Sequence, residues 1–215
     1  MEQKNYITSF CSIKEGTISV NNSVVYADTS LTSIDFLKSA YKHFKLNYPK
    51  FYKMDALCKL AFVASELLLK QSDSTQSGQL ITQKYSSEDV AIVIANSASS
   101  LEIDTEHQNT ISDKNNYFPS PAVFVYTLPN ILIGEIAIRN SIKGENTFFI
   151  FDKFDADFMS SYINSLLNSN KAKCCITGWV DFYENKYEAF LYIVEKEPKT
   201  LNIEHTQKQL TLLLK

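Results

Sequence analysis

The sequence predicts an α/β fold: a mixed, mostly parallel five-stranded sheet with helices on both faces. Three observations carry this reading. Residues 90–95 (VAIVIA) are a continuous apolar, largely β-branched run, the pattern of a strand covered on both faces. Leu57, Leu60, Ala61, Ala64, Leu67 and Leu68 recur at the i, i+3, i+4, i+7 spacing of one apolar helical face. Strand-like and helix-like segments then alternate along the chain, which implies parallel strands joined by right-handed crossovers.

Taken in order, residues 6–11 read as a first short strand, with a turn at Gly16. Residues 18–26 (ISVNNSVVY) read as a small hairpin turning at Asn21-Asn22, because asparagine tolerates positive φ. A polar stretch with Pro49 leads to the helix above, where Asp55 is placed to cap or charge the first turn. Residues 71–87, rich in Ser, Thr and Gln, read as a loop. Beyond the 90–95 strand, residues 96–117 read as another polar loop.

Pro119, Pro121 and Pro129 bracket an extended segment, since the residue before each proline is pushed away from helix. Residues 131–142 have helical spacing, with Gly134 as a close-packing point and Gly144 as the stop. Residues 147–151 (TFFIF) form a strand, and residues 155–168 a helix that buries Phe158, Ile163, Leu166 and Leu167. Residues 174–180 and 188–194 are two further strands, the final hairpin adding an antiparallel strand. Residues 201–214 read as a helix or an extended tail. With no internal repeat and no linker, 1–215 is expected to be a single domain.

Composition narrows the function classes. Hydrophobic residues at 45% and charged residues at 21% are those of a globular chain. The net charge is −3 and Arg139 is the only arginine, whereas nucleic-acid binders carry a basic, Arg-rich face, so nucleic acid is not an expected partner. Cys11, Cys58, Cys174 and Cys175 include no CxxC pair, and neighbours in a strand point to opposite faces. That usage suits buried thiols in a reducing compartment. The N-terminus lacks a signal-peptide pattern, and Thr127, Pro129, Asn130 and Glu135 interrupt the most apolar stretch, 122–138, short of the roughly 20 residues of a membrane span. A cytoplasmic location without a membrane span is expected.

Several segments, in this order, resemble the N-terminal half of a β-ketoacyl synthase of the thiolase superfamily. They are FYKMDALCKLAFVASELLL, VAIVIANSASSLEID, FPSPAVFVYTLPNILIGEIAIRNSIKGEN and CCITGWVD, together spanning most of residues 50–195. The third carries the most specific pattern, with Pro121, Pro129, Asn130 at a helix start, Gly134, and the Gly-x-Asn turn of Gly144 and Asn146. The resemblance implies half of a thiolase-like fold. It also implies that the strand after the turn delivers a cysteine to a helix N-terminus, where the helix dipole favours the thiolate.

The sequence departs from that pattern at the chemistry. The nucleophile position falls near Asp152, Lys153 and Phe154, and no Cys, Ser or Thr lies between Phe148 and Met159. The glutamine of some decarboxylating relatives is also missing there. The second half of a synthase, with the two histidines that polarise the thioester carbonyl, has no counterpart in these residues, so the family's condensing activity is not expected. The resemblance instead implies a chain-length-factor-type subunit, without a cofactor or metal. Its expected partner is a catalytic ketosynthase, an acyl carrier protein, or both. In the family the strand containing Phe148, Phe149, Ile150 and Phe151 lies at a sheet edge and pairs with a partner's copy, in a homo- or heterodimer; left bare, so apolar an edge would aggregate.

Other residues admit a sharp and a plain reading. Asp104, Glu106 and His107 could hold a metal, but no second His or Cys stands at ligand spacing, and a solvated loop is favoured. Ser97, Ser99 and Ser100 lack Gly-x-Ser-x-Gly spacing and read as a structural turn. His43 and His205 have no evident partner. Lys153 could serve as a nucleophile or base for thioester hydrolysis or transfer if desolvated, but Asp152 and Asp155 favour its charged form, and a structural ion pair is the plainer use. Trp179, Phe182 and Tyr183 either form part of a binding face or cover the sheet.

Overall fold

Asparagine and glycine set the first turns. The computed structural model describes residues 4–71, 81–115 and 117–214. It opens with β1 (Tyr6–Lys14), β2 (Thr17–Val20) and β3 (Ser23–Ala27), an antiparallel meander. Each turn is made by two residues with positive φ, Glu15-Gly16 and Asn21-Asn22, the geometry that matches strand twist in tight hairpins. At Gly16 a Cβ would stand 2.6 Å from the Asp28 carbonyl oxygen, so a side chain has no room there.

Helix α1 (Ser33–His43) follows, capped by the Thr32 hydroxyl, which accepts from the Asp35 amide, and buries Phe36, Leu37, Ala40 and Tyr41. It lies in the stretch expected to be merely polar; its apolar spacing was present but diluted by Ser and Lys. A 3₁₀ turn at Pro49–Lys53 leads into α2 (Ala56–Gln71). The expected 71–87 loop falls partly outside the described residues, and its described end holds a one-turn helix, α3 (Ile81–Lys84).

Then come β4 (Val90–Asn96), α4 (Leu101–Ile111), the short α5 (Pro121–Phe124) with a 3₁₀ turn at Val125–Thr127, and α6 (Ile131–Asn140). Two expectations are corrected here. Half of the expected 96–117 loop is helix α4, which buries only Ile103 and so shows almost no apolar face in sequence. The proline segment is helical rather than extended, because Pro121 occupies the first turn, where its missing N–H costs nothing, and Ser120 caps it.

The chain closes with β5 (Asn146–Ile150), α7 (Ala156–Asn168), β6 (Cys174–Tyr183), β7 (Lys186–Glu195), β8 (Ile203–Glu204) and α8 (Gln207–Leu213). The 201–214 segment is thus a short strand and then a helix.

One eight-stranded sheet runs in the order β3-β2-β1-β7-β6-β4-β5, with β8 pairing β1. The expected five-stranded, mostly parallel sheet is corrected: among the described residues only β4–β5 and β4–β6 pair in parallel, and the other pairings are antiparallel. The antiparallel majority comes from β1 inserting beside β7, a pairing between opposite ends of the chain that alternation cannot reveal.

Helices do cover both faces. Ile92 and Ile94 of β4 face one core, with Phe36, Leu60 and Ile136, while Ala91, Val93 and Ala95 face the other, with Met159, Ile163 and Leu167 of α7. Cys174 and Cys175 divide between the same two cores, and burial pushes both thiols up. Among the described residues no single helix is long and apolar enough to cross a membrane.

Candidate functional site

The β5–α7 corner holds the position where the resemblance places a nucleophile. β5 runs parallel to β4, Asn146 opposite Ile92 through Ile150 opposite Asn96, and the Phe151 amide extends the pairing by donating to the Asn96 carbonyl at 2.9 Å. The turn before it is fixed by Gly144, where a Cβ would lie 2.3 Å from the Val90 carbonyl oxygen. Gly144 is therefore not the helix stop it was expected to be; Ser141, at φ 56°, is the left-handed cap of α6. Gly134 is no close-packing point either, since a Cβ there meets nothing within 4 Å. Asn130 does precede α6, but its side chain makes no capping bond.

Beyond β5, Asp152 and Lys153 are exposed, and Phe154 turns inward, edge-on to Trp179 and Phe190 with ring centroids 6.2 Å from each. Asp155 caps α7: its Oδ1 accepts from the Phe158 amide at 2.9 Å. These residues line an open cleft of about 730 Å³, in which Lys153 is the only cation among the described residues, beside Asp152, Asp155 and Asp157. The ion pair expected for Lys153 is absent among the described residues; its side chain stands in water instead.

The other expected site residues form the edge. Among the described residues β5 pairs only with β4, which leaves one side of its backbone unpaired there. Phe148 packs on the core shared with α2 and α6, while Phe149, Phe151, Phe158 and Tyr162 form an aromatic patch, with Phe149 5.7 Å from Phe151, 4.9 Å from Phe158 and 5.2 Å from Tyr162. Ile150 is 54% exposed and Phe158, expected in the core, 36%. Helix α7 puts Phe158 beside the open edge rather than beneath the sheet. Exposed apolar side chains also crowd α4 to α6: Leu101, Phe124, Val125, Leu128 and Ile138.

The remaining candidates resolve into structure. The Asp181 carboxylate accepts from Ser97 Oγ and from the amides of Ser97 and Ala98, while Asn96 bonds both backbone groups of Ser99, which sits at φ 54°. The serines therefore build a turn. Asp104 and Glu106, two residues apart on α4, diverge around the helix; Asp104 meets Ser100, and His107 packs against Phe124. His43 stacks near Tyr26, and Trp179 and Phe182 are buried against the sheet.

The sequence reading passed over a set of charges enclosed on the α2 side. Glu66 is held by Arg139; Glu135 is 3% exposed, paired with Lys50 at 2.7 Å, with the Tyr126 hydroxyl donating to it at 3.4 Å. Lys59 is 7% exposed. The signal was a charged residue within an apolar helical run, ALCKLAFVASELLL, which is buried nearly all round.

No family model and no curated protein matches the chain. Solved structures do. The ishigamide ketosynthase/chain length factor superimposes with a TM-score of 0.65 at 16% identity, covering 89% of this chain and 62% of that one. The ketosynthase ApeO in complex with its chain length factor ApeC from Xenorhabdus doucetiae gives 0.55 at 12%, covering 90% of this chain and 79% of that one. A type II polyketide acyl carrier protein in complex with its ketosynthase, AntDE:AntF, gives 0.59 at 13%, covering 91% and 63%. The first of these is matched over less than two thirds of its own length. The chain has the thiolase-like fold of the ketosynthases and chain length factors.

Proposed function

We propose that this chain, as one domain over residues 1–215, is a non-catalytic auxiliary subunit of a ketosynthase that elongates acyl chains carried on acyl carrier protein, in fatty-acid, polyene or polyketide-type biosynthesis. The observation that carries the reading is the β5 edge: a strand, NTFFI, with one side unpaired among the described residues, flanked by the Phe149–Phe151–Phe158–Tyr162 patch, with Ile150 54% exposed. A bare apolar edge is a template for another strand, and exposed apolar surface of this kind marks a site of association. The similar structures that are complexes of a ketosynthase with a chain length factor or a carrier protein support the choice of partner. At the nucleophile position, Asp155 is occupied as a helix cap and Phe154 as packing, which supports a scaffold used for contact rather than for thioester attack.

A thioester hydrolase or transferase built on Lys153 is less well supported, because a lysine nucleophile needs desolvation and Lys153 is exposed. An acyl-binding homodimer shares the β5 edge and differs only in its partner. Size-exclusion chromatography with light scattering, on the chain alone and co-expressed with a ketosynthase encoded nearby, separates the readings. A one-to-one heterocomplex that Phe149→Lys weakens supports the auxiliary subunit, and a symmetric dimer of this chain alone supports the acyl binder. A monomer indifferent to any ketosynthase overturns both.

A further inference from the structure

Away from the β5 edge, charges of opposite sign line one cavity without meeting. Between α2, α4 and α5 lies a space of about 390 Å³. The α2 side contributes Lys59 and, from the 3₁₀ turn before it, Lys53; α4 contributes Glu102 and Glu106. We propose that this cavity binds a small amphoteric molecule, an amino acid with its carboxylate and ammonium at opposite ends, which bridges the lysines to the glutamates.

The unmet charges carry the argument. Among the described residues Lys53, Lys59 and Glu106 form no ion pair, whereas Lys50, Lys84 and Lys199 each have a carboxylate in contact. Lys59 is 7% exposed, which makes its charge the costliest of these to leave without a counter-ion. Its Nζ donates to the Met54 carbonyl and lies 5.9 Å from the centroid of the Phe51 ring. Those contacts hold an ammonium but supply no negative charge. An ammonium has three N–H donors, so two remain for a carboxylate. Asp55, one helical turn before Lys59, is engaged as the cap of α2, its Oδ1 accepting from the Cys58 amide at 3.0 Å.

On α4, Glu102 and Glu106 stand four residues apart and so share one face. Glu102 Oε2 accepts from the Glu184 amide at 2.9 Å. Glu106 acts on Lys59 through space, without contact.

These charges set the ligand's chemistry. An anion alone relieves Lys59 but faces Asp55, Glu102 and Glu106; a cation alone relieves the glutamates but faces Lys53 and Lys59. A molecule with both charges meets both sides. Because Lys59 and Glu106 do not reach each other, its charged ends have to stand apart, which favours 6-aminohexanoate over glycine. The mixed lining, Ile103 and Phe182 beside Tyr126 and Asn185, suits a methylene chain between polar ends. The inference is independent of the β5 edge and of any partner that docks there.

The test is calorimetric titration of the full chain at pH 7 with 6-aminohexanoate, hexanoate and hexylamine, which share one chain length and differ in charge. Each single-charge compound gives up a hydrogen-bonded contact to a charged group, so 6-aminohexanoate should bind about tenfold tighter than either, or more. Glycine should bind no better than the single-charge compounds. Glu106→Gln should reduce 6-aminohexanoate to the affinity of hexanoate, and Lys59→Met to that of hexylamine. Equal binding of the three compounds to the unmodified protein, or none, overturns the proposal whether or not the variants fold. Glycine binding as tightly as 6-aminohexanoate overturns the bridging geometry. Undiminished affinity in Glu106→Gln, a change at an exposed side chain, overturns the placement in this cavity.

Discussion

Arg139 grips Glu66 with both prongs of its guanidinium: Nε donates to Oε1 at 3.0 Å and Nη2 to Oε2 at 3.1 Å. The plane lies over the Tyr48 ring, 5.3 Å from its centroid. The only arginine of the chain thus ties α6 to α2 and closes the segment before α2 over both. Planar, two-point recognition is what lysine cannot supply.

Removing the arginine leaves Glu66, 7% exposed, as a charge without a partner. Breaking a fully buried pair costs about 3–5 kcal/mol, and the partial exposure of Arg139 should bring that down to about 2–3. Arg139→Met is therefore expected to lower the unfolding free energy measured by urea titration by that amount, Arg139→Lys to recover less than half of it, and Arg139→Met with Glu66→Leu to return close to the original. A double variant no better than Arg139→Met would show that the loss came from packing on Tyr48 instead.

Gly134 and Gly144 should respond to alanine with opposite signs. Gly134 lies inside α6 with open space around a would-be Cβ, so Gly134→Ala should stabilise by about 0.5–1 kcal/mol through helix propensity. Gly144 supports the carbonyls of Glu88 and Val90 at 2.7 and 2.3 Å from the same atom, and Gly144→Ala must push β4 and β5 apart. A loss above about 2 kcal/mol is expected there, in the range of overpacked cores. Thermal melts of the two variants decide it; a neutral Gly144→Ala would mean that the turn has slack.

These glycines also mark how far sequence reached. Local signals placed α2, β4 and the two cores correctly, because apolar runs and alternation at Cys174-Cys175 depend on near neighbours. The Gly-x-Asn turn and the edge strand came from resemblance. What Gly144 meets lies in a segment some fifty residues away in the chain, and no local pattern holds that. The same is true of β1 beside β7, which turned an expected parallel sheet into a mostly antiparallel one. Polar α4 escaped because one buried residue in eleven leaves no apolar face. Lys59 and Glu66 escaped because isolated charges in an apolar helical run say nothing in sequence of what encloses them.

Acid should unfold the protein in two stages, starting at His205. Its ring is 2% exposed, with Nδ1 2.9 Å from Asn164 Oδ1, and burial lowers its pKa to about 3. The folded state therefore holds the ring neutral while the unfolded chain binds a proton below about pH 6.5. Stability is full above that pH and falls as pH drops towards 3, by up to about 1.4 kcal/mol per unit. Glu195 joins lower down. Burial would raise its carboxyl, but the bonds from Lys84, Thr8, Tyr85 and Lys199 outweigh burial and bring it to about 2. Its contribution is present above about pH 4.5 and is lost as pH falls from there towards 2. The raised carboxyl of Asp55 works in the opposite direction, so the total slope is less informative than a difference between variants.

His205→Asn isolates the upper stage. It removes the titrating ring from the contact with Asn164 that docks the turn before α8. Denaturant unfolding at pH 7, 5.5 and 4.5 should show the original protein losing stability steadily across the series. The variant, weaker at pH 7, should lose much less, so the two curves converge towards acid. Parallel curves would mean that His205 takes up a proton without leaving its pocket, with water reaching the ring through the α7–α8 seam.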